Sequence, residues 1–232
     1  MNKLGKLVVI DGTDGSGKGT HAGMLIERLA REERRVHLAD FPQYGKTSAY
    51  FVEKYLRGEY GSLETMGAKK ASLFYAVDRF DASFEMRKLL NKGTIIISNR
   101  YVSSNMGHQA GKIADPAERS DCIEWLKELE YGILELPKPD ANILLYVPPE
   151  VGQQLVDQKA AREYTQGAKR DIHEANLPHL QQASVSYLEV AHREGWKVID
   201  CMLPGGKSIS EIRSKEEIHE EIYAHLVQLG VL

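Results

Sequence analysis

The stretch VVIDGTDGSGKGTHAGML, residues 8–25, decides the fold. It opens on a β-branched apolar run, passes through four glycines and one lysine, and ends in an apolar pattern suited to a helix. A strand leading into a glycine-rich turn and then a helix is the context that a phosphate-binding loop requires. The glycines have a geometric reason: backbone N–H groups must point inward together, and side chains would block the phosphate's approach. The helix N-terminus adds its dipole. Gly12, Asp14, Gly15, Ser16, Gly17, Lys18, Gly19 and Thr20 are therefore the candidate nucleotide-binding residues, with Lys18 bridging the outer phosphates. One detail departs from the common GxxxxGK[ST] spacing, because Gly19 follows the lysine and the hydroxyl arrives one place later, at Thr20. Such a loop indicates a nucleotide and leaves the reaction open.

Working outward, short apolar runs recur at 7–10, 36–41, 94–98, 141–147 and 196–200. They are rich in β-branched residues and lack clean alternation, as expected of strands covered on both faces. Helical patterns lie between them, at 21–35, 47–58, 63–92 and 117–134. Strands alternating with helices predict a doubly wound α/β fold, with about five parallel strands and helices on both faces. No repeat, low-complexity tract or linker interrupts the chain, so residues 1–232 read as one domain. Residues 157–174 are charged and nearly free of large apolar side chains, which suits a solvated face or a lid, and 214–229 reads as an amphipathic closing helix.

The 232 residues carry a net charge of −3, with 42% hydrophobic and 27% charged residues. That balance suits a globular protein and argues against a nucleic-acid or membrane-surface partner. No apolar run approaches the roughly 18 residues of a membrane span, and the short N-terminal run does not make a signal peptide. Cys122 and Cys201 form no CxxC pattern and read as free or buried thiols of a cytoplasmic protein.

Three further motifs follow the loop in order: FPQYG at 41–45, SLFYAVDRF at 72–80 and NRYVSSNMGHQ at 99–109. Together with the loop they resemble the thymidylate kinase family among the P-loop nucleoside monophosphate kinases, over a span from Lys6 to about Asp200. Each is weak alone, and four in the right order are specific. The resemblance implies an ATP- and magnesium-dependent kinase that phosphorylates dTMP to dTDP, usually as a homodimer through the region of the long third helix. It implies that Tyr75 stacks on thymine, Arg79 bonds its O4, Asn105 meets the base edge and Phe41 lines the pocket. Asp14 would reach the acceptor's 3′-hydroxyl and lie near the metal, and Arg100 would hold the acceptor phosphate, a task that suits a bidentate guanidinium. In the charged stretch, Lys159, Arg162, Lys169 and Arg170 match a basic lid, with Arg162 as the catalytic arginine. Asp171 and Glu174 match acidic positions, Glu174 holding magnesium or its water. The segment CMLP at 201–204 would border the adenine. No general base is needed, because a phosphate monoester is mostly dianionic near neutral pH, its second pKa being about 6.

Each residue also has a plain structural reading: Tyr75 as core, Asp78 and Arg79 as a surface ion pair, Arg100 as part of a structural network. Three positions depart from the family pattern. Asn99 replaces the usual aspartate before Arg100, and an amide oxygen is a poorer ligand for a hard cation. His108 stands where tyrosine is common, at the position that crowds the 2′-carbon. Gln43 stands where arginine is common, which removes a positive charge near the acceptor phosphate. All three loosen the acceptor's identity, leaving another pyrimidine monophosphate, or binding without turnover, as alternatives.

Overall fold

The computed structural model describes residues 4–158, 173 and 176–232. Five strands form one parallel sheet in the order β2-β3-β1-β4-β5: β1 (Leu7–Gly12), β2 (Val36–Asp40), β3 (Ile95–Asn99), β4 (Ala141–Tyr146) and β5 (Lys197–Asp200). β1 is central, with Val8 opposite Ile97 on one side and Ala141 on the other. All six of its residues are buried, and they divide by pleat. Val8 and Ile10 enter one core with Leu25 and Leu29 of α1 (Lys18–Arg31) and Ile218 and Ile222 of α8 (Lys215–Gln228). Leu7 and Val9 enter the other, with Met86 of α3 (Leu63–Asn91), Ile123 of α5 (Pro116–Lys127) and Val190 of α7 (Leu177–Glu194). Two covered faces explain why the strands read as unbroken apolar runs.

The expected strands and helices are all present, with shifts at their ends. The 47–58 pattern is a 3₁₀ turn followed by α2 (Tyr50–Leu56). The stretch from 117 to 134 is α5 followed by a π-helical turn, Glu128–Ile133. The long third helix is interrupted after its first turn at Gly67, whose φ of 64° and ψ of 178° leave the helical region.

Beyond β3 the chain forms the short α4 (Val102–Ser104), a π-helical turn at Asn105–Gln109 and a 3₁₀ turn at Ala110–Lys112. This segment is held against α7, where Ser186 Oγ donates to Met106 O at 2.7 Å. A side chain at Gly107 would lie 2.3 Å from the Tyr187 ring, so the close approach requires glycine. Both cysteines are free and buried. Among the described residues, no helix is long and apolar enough to cross a membrane.

Candidate active site

The C-terminal ends of β1, β2 and β3 bring Gly12, Asp40 and Asn99 to one edge of the sheet, where open α/β sheets bind ligands. A cleft of about 440 Å³ opens there, lined by the glycine loop at one end and by Phe41, Tyr75, Arg79, Asn105 and His108 at the other. The loop is clamped from behind: Gly15 has a φ of 82°, and a Cβ on it would sit 2.2 Å from Gly152 O in α6 (Pro149–Asp157). Helix α1 starts on Gly17, whose lack of a side-chain cap leaves the first-turn N–H groups to the loop. Among the described residues Ser16 Oγ is buried without a hydrogen-bond partner, and Lys18 Nζ donates to Thr13 O at 2.7 Å. These are the features of an anion cradle.

Asp14 joins the two halves of the cleft. Its Oδ1 lies 3.9 Å from Lys18 Nζ and also pairs with Arg100 Nη2. Arg100 has a φ of 66°, and its Nη1 lies 3.1 Å from His108 Nε2. A guanidinium can only donate, so His108 accepts with Nε2 and carries its proton on Nδ1. Burial pushes the His108 imidazole well below its usual range, and Arg100 adds to the effect.

Beneath this layer, Asp11 is buried and accepts hydrogen bonds from Ser103, Ser104 and Tyr187 at 2.6–3.0 Å. It ties β1 to the segment that carries Asn105 and His108. At the far end, Arg79 is 1% exposed and Glu130 0%. Arg79 Nε and Nη2 donate to the two Glu130 oxygens at 2.6 and 2.8 Å, and Asn105 Nδ2 donates to Glu130 Oε1 at 2.8 Å.

His108, His173 and His179 form a buried cluster in which His173 Nδ1 and His179 Nε2 are 2.6 Å apart. Burial pushes His179 down to about 4, with the Lys112 amine acting in the same direction. The folded-state value lies below the ordinary one, so between pH 6.5 and 4 the unfolded chain binds a proton that the folded chain refuses. Stability contributed by the neutral imidazole is therefore lost as pH falls through 6.5. Each such histidine adds about 1.4 kcal/mol per pH unit to the slope. Replacing His179 with glutamine is expected to flatten the fall in unfolding free energy, measured by urea titration, between pH 6.5 and 4.5 by about that amount. An unchanged slope would show that His179 takes up its proton in the folded state.

Comparison with known proteins bears on this geometry. A thymidylate kinase family model matches residues 10–221. The chain belongs to the thymidylate kinase family. Among its relatives, the thymidylate kinase of Mycobacterium tuberculosis is 32% identical over 191 residues, covering 82% of this chain and 87% of that one. That of Plasmodium falciparum is 25% identical, covering 99% and 93%. A solved Candida albicans thymidylate kinase superposes with a TM-score of 0.71 at 22% identity, over 97% of this chain and 92% of that one, a likeness of fold.

Within this family member the expected residues meet in one cleft: Asp14, Lys18, Thr20, Phe41, Tyr75, Arg79, Arg100, Asn105 and His108 all line it. Gly12 does not line it: with a φ of 148° and its Cβ position 2.2 Å from Leu145 O, it is needed where β1 meets β4. Tyr75 is half-buried and meets Tyr55 edge-on. The plain reading of Asp78 and Arg79 as a surface ion pair is wrong, because both are buried and each pairs elsewhere. Asp78 accepts from the Gln43 backbone N–H at 2.9 Å and from Ser48 Oγ at 2.6 Å. Gln43 Nε2 also donates to Asp78, so Gln43 holds the FPQYG loop on α3. In the CMLP segment, Cys201 and Met202 are packed in the core with Ile218 and Ile222, while Leu203 is exposed. Lys159, Arg162, Lys169, Arg170, Asp171 and Glu174 lie outside the described residues.

Sequence reading missed Asp11, Asp40, Glu130, His173 and His179. Asp40 had a legible signal, as an acid at the end of an apolar run just before FPQYG. Its Oδ1 accepts from Asn99 Nδ2 at 2.7 Å across paired strands. Burial raises its carboxyl above the usual range, against the lowering effect of that hydrogen bond. Glu130, in KELEYG, had no signal, since the pattern looks like any acidic helix surface.

Proposed function

We propose that this chain transfers the γ-phosphoryl group of ATP to dTMP, releasing dTDP and ADP. The observation that carries the reading is the Lys18–Asp14–Arg100 junction, which sets the donor loop's cation and the acceptor wall's cation about one carboxylate. A kinase of this class needs two polyanions held end to end with the charge between them neutralised. Lys18 and the N–H groups at the start of α1 would hold the donor's β- and γ-phosphates. Arg100 would take the acceptor phosphate, with the base between Tyr75 and Arg79 and its edge at Asn105. Catalysis is then alignment plus charge neutralisation by groups already in place. His108, buried and neutral, would fill the space at the 2′-carbon.

The residues present fit magnesium. Asp14 and Asp40 supply carboxylates and Thr20 a hydroxyl, while Asn99 Oδ1 is a buried oxygen without a hydrogen-bond partner among the described residues. When bound, the ion would neutralise charge on the bridging phosphates. Arg162 and Glu174 keep the roles their matching positions suggest, catalytic arginine and metal or water ligand.

We also place the protein in the cytoplasm, as a homodimer with nucleotides as its small-molecule partners. Leu73, Val77 and Phe84 are exposed on α3 at spacings that share a face, which suits a second copy of the same helix. Sedimentation equilibrium at micromolar concentration is expected to give the dimer mass, and a monomer there would remove the proposal.

The test of function is ADP release in a coupled assay with ATP and magnesium, screening dTMP, dUMP, dCMP, UMP, CMP and AMP. Turnover is expected to be highest with dTMP. Better turnover on another monophosphate would show that Asn99, His108 and Gln43 re-specify the acceptor, and silence on all six would show a binding protein.

A further inference from the structure

The Arg79–Asn105 end of the cleft rests on a carboxylate that does not itself line it. Glu130 is fully buried on the π-helical turn after α5, and its two oxygens take three donors. Oε2 accepts from Arg79 Nε at 2.6 Å, while Oε1 accepts from both Arg79 Nη2 and Asn105 Nδ2 at 2.8 Å. The second hydrogen of the Asn105 amide is also committed, to Ser72 O at 3.2 Å. The amide therefore has one possible orientation, because a reversed one would set its oxygen against the Glu130 carboxylate and the Ser72 carbonyl. What Asn105 has left for the cleft is its acceptor, Oδ1, and what Arg79 has left are donors only, on Nη1 and the second hydrogen of Nη2; both residues line the cleft.

We infer that Glu130 is a positioning residue for base selection: it fixes an acceptor on Asn105 beside a donor on Arg79. That pair is complementary to a pyrimidine with N3–H and a 4-keto oxygen, and opposed to one with a bare N3 and a 4-amino group. The inference rests on the proposed binding of the acceptor base at Tyr75, Arg79 and Asn105, and it adds the residue that holds those two groups in place. A carboxylate suits this task better than an amide. Glutamine has only one oxygen, so it cannot receive Arg79 twice and Asn105 as well. A site built to hydrogen-bond one pattern rejects the inverse strongly, since its buried polar groups are left unpaired.

The test measures kcat and KM with the wild-type protein on dTMP, dUMP, dCMP and N3-methyl-dTMP, then repeats dTMP and dCMP with Glu130→Gln. For the wild type, dCMP and N3-methyl-dTMP are expected to fall at least about a hundredfold below dTMP in kcat/KM. dUMP, which keeps N3–H and the 4-keto group, should lose only the contribution of one methyl. In Glu130→Gln the ratio of dTMP to dCMP is expected to shrink at least tenfold, chiefly through a higher KM for dTMP. A merely structural Glu130 would lower both substrates in parallel and leave the ratio unchanged, which would overturn the assignment. The buried ion pair makes misfolding of that variant a real outcome, readable by circular dichroism; the wild-type series then decides, and N3-methyl-dTMP or dCMP turning over as well as dTMP would sink the inference. Absence of ADP release with dTMP in the wild type would instead overturn the proposed function itself.

Discussion

Replacing Arg100 with alanine is expected to lower kcat for dTMP by about a thousandfold, the scale of losing a positioned cation or transition-state donor in phosphoryl and acyl transfer. Arg100 stands where the two halves of the cleft meet, pairing with Asp14 through Nη2 and with His108 through Nη1. On the proposed reading its loss removes the acceptor phosphate's partner, and it takes a cation away from the largely buried Asp14. Lysine at this position should restore little, since one ammonium cannot meet both Asp14 and His108 in the planar fork that a guanidinium provides. Steady-state kinetics together with calorimetric titration of ADP would check this. ADP affinity should change little, because the loop and Lys18 stay in place. A kcat within tenfold of the wild type would mean that Arg100 only braces the fold.

Exchanging the charge between β2 and β3 should separate a relocated metal carboxylate from a lost one. Asp40→Asn keeps the shape of the pair with Asn99 and removes its only carboxylate. The concentration of magnesium for half-maximal activity is expected to rise about 10- to 100-fold, the usual effect of disturbing a ligand or its hydrogen-bonded support. Affinity of the ADP complex for manganese, followed by electron paramagnetic resonance, should fall in parallel. The double variant Asp40→Asn, Asn99→Asp returns a carboxylate to the pair from the other strand and should recover most of both. If Asp40→Asn leaves manganese affinity and magnesium dependence unchanged, Asp14 and Thr20 hold the ion without it.

Both effects turn on residues that differ in how far they could be read in advance. Lys18, Asp14 and Arg100 were legible because their neighbours in sequence carry the reason for them: glycines that open a phosphate cradle, and an arginine at the end of a strand. The departure at Asn99 was legible as well, and in isolation it looked like a defect. Its hydrogen-bond partner lay fifty-nine positions away, since β2 and β3 are paired in parallel and put Asp40 opposite Asn99. Gln43 was read as a missing charge beside the acceptor; that its amide donates to Asp78 was not legible.

What the sequence determined by itself was the order and type of the elements and the position of the phosphate loop. Those depend on contacts between near neighbours: the apolar runs that make strands, the helix periodicity, and glycines at positive φ in the turn. What only the tertiary structure decided was the pairing of polar groups across elements, as in Asp11 with Tyr187, Glu130 with Arg79 and Asn105, and the approach of His179 to His108. A buried charge or amide must find its partner wherever packing places one, and that partner is selected by distance in space, which residue spacing along the chain does not encode.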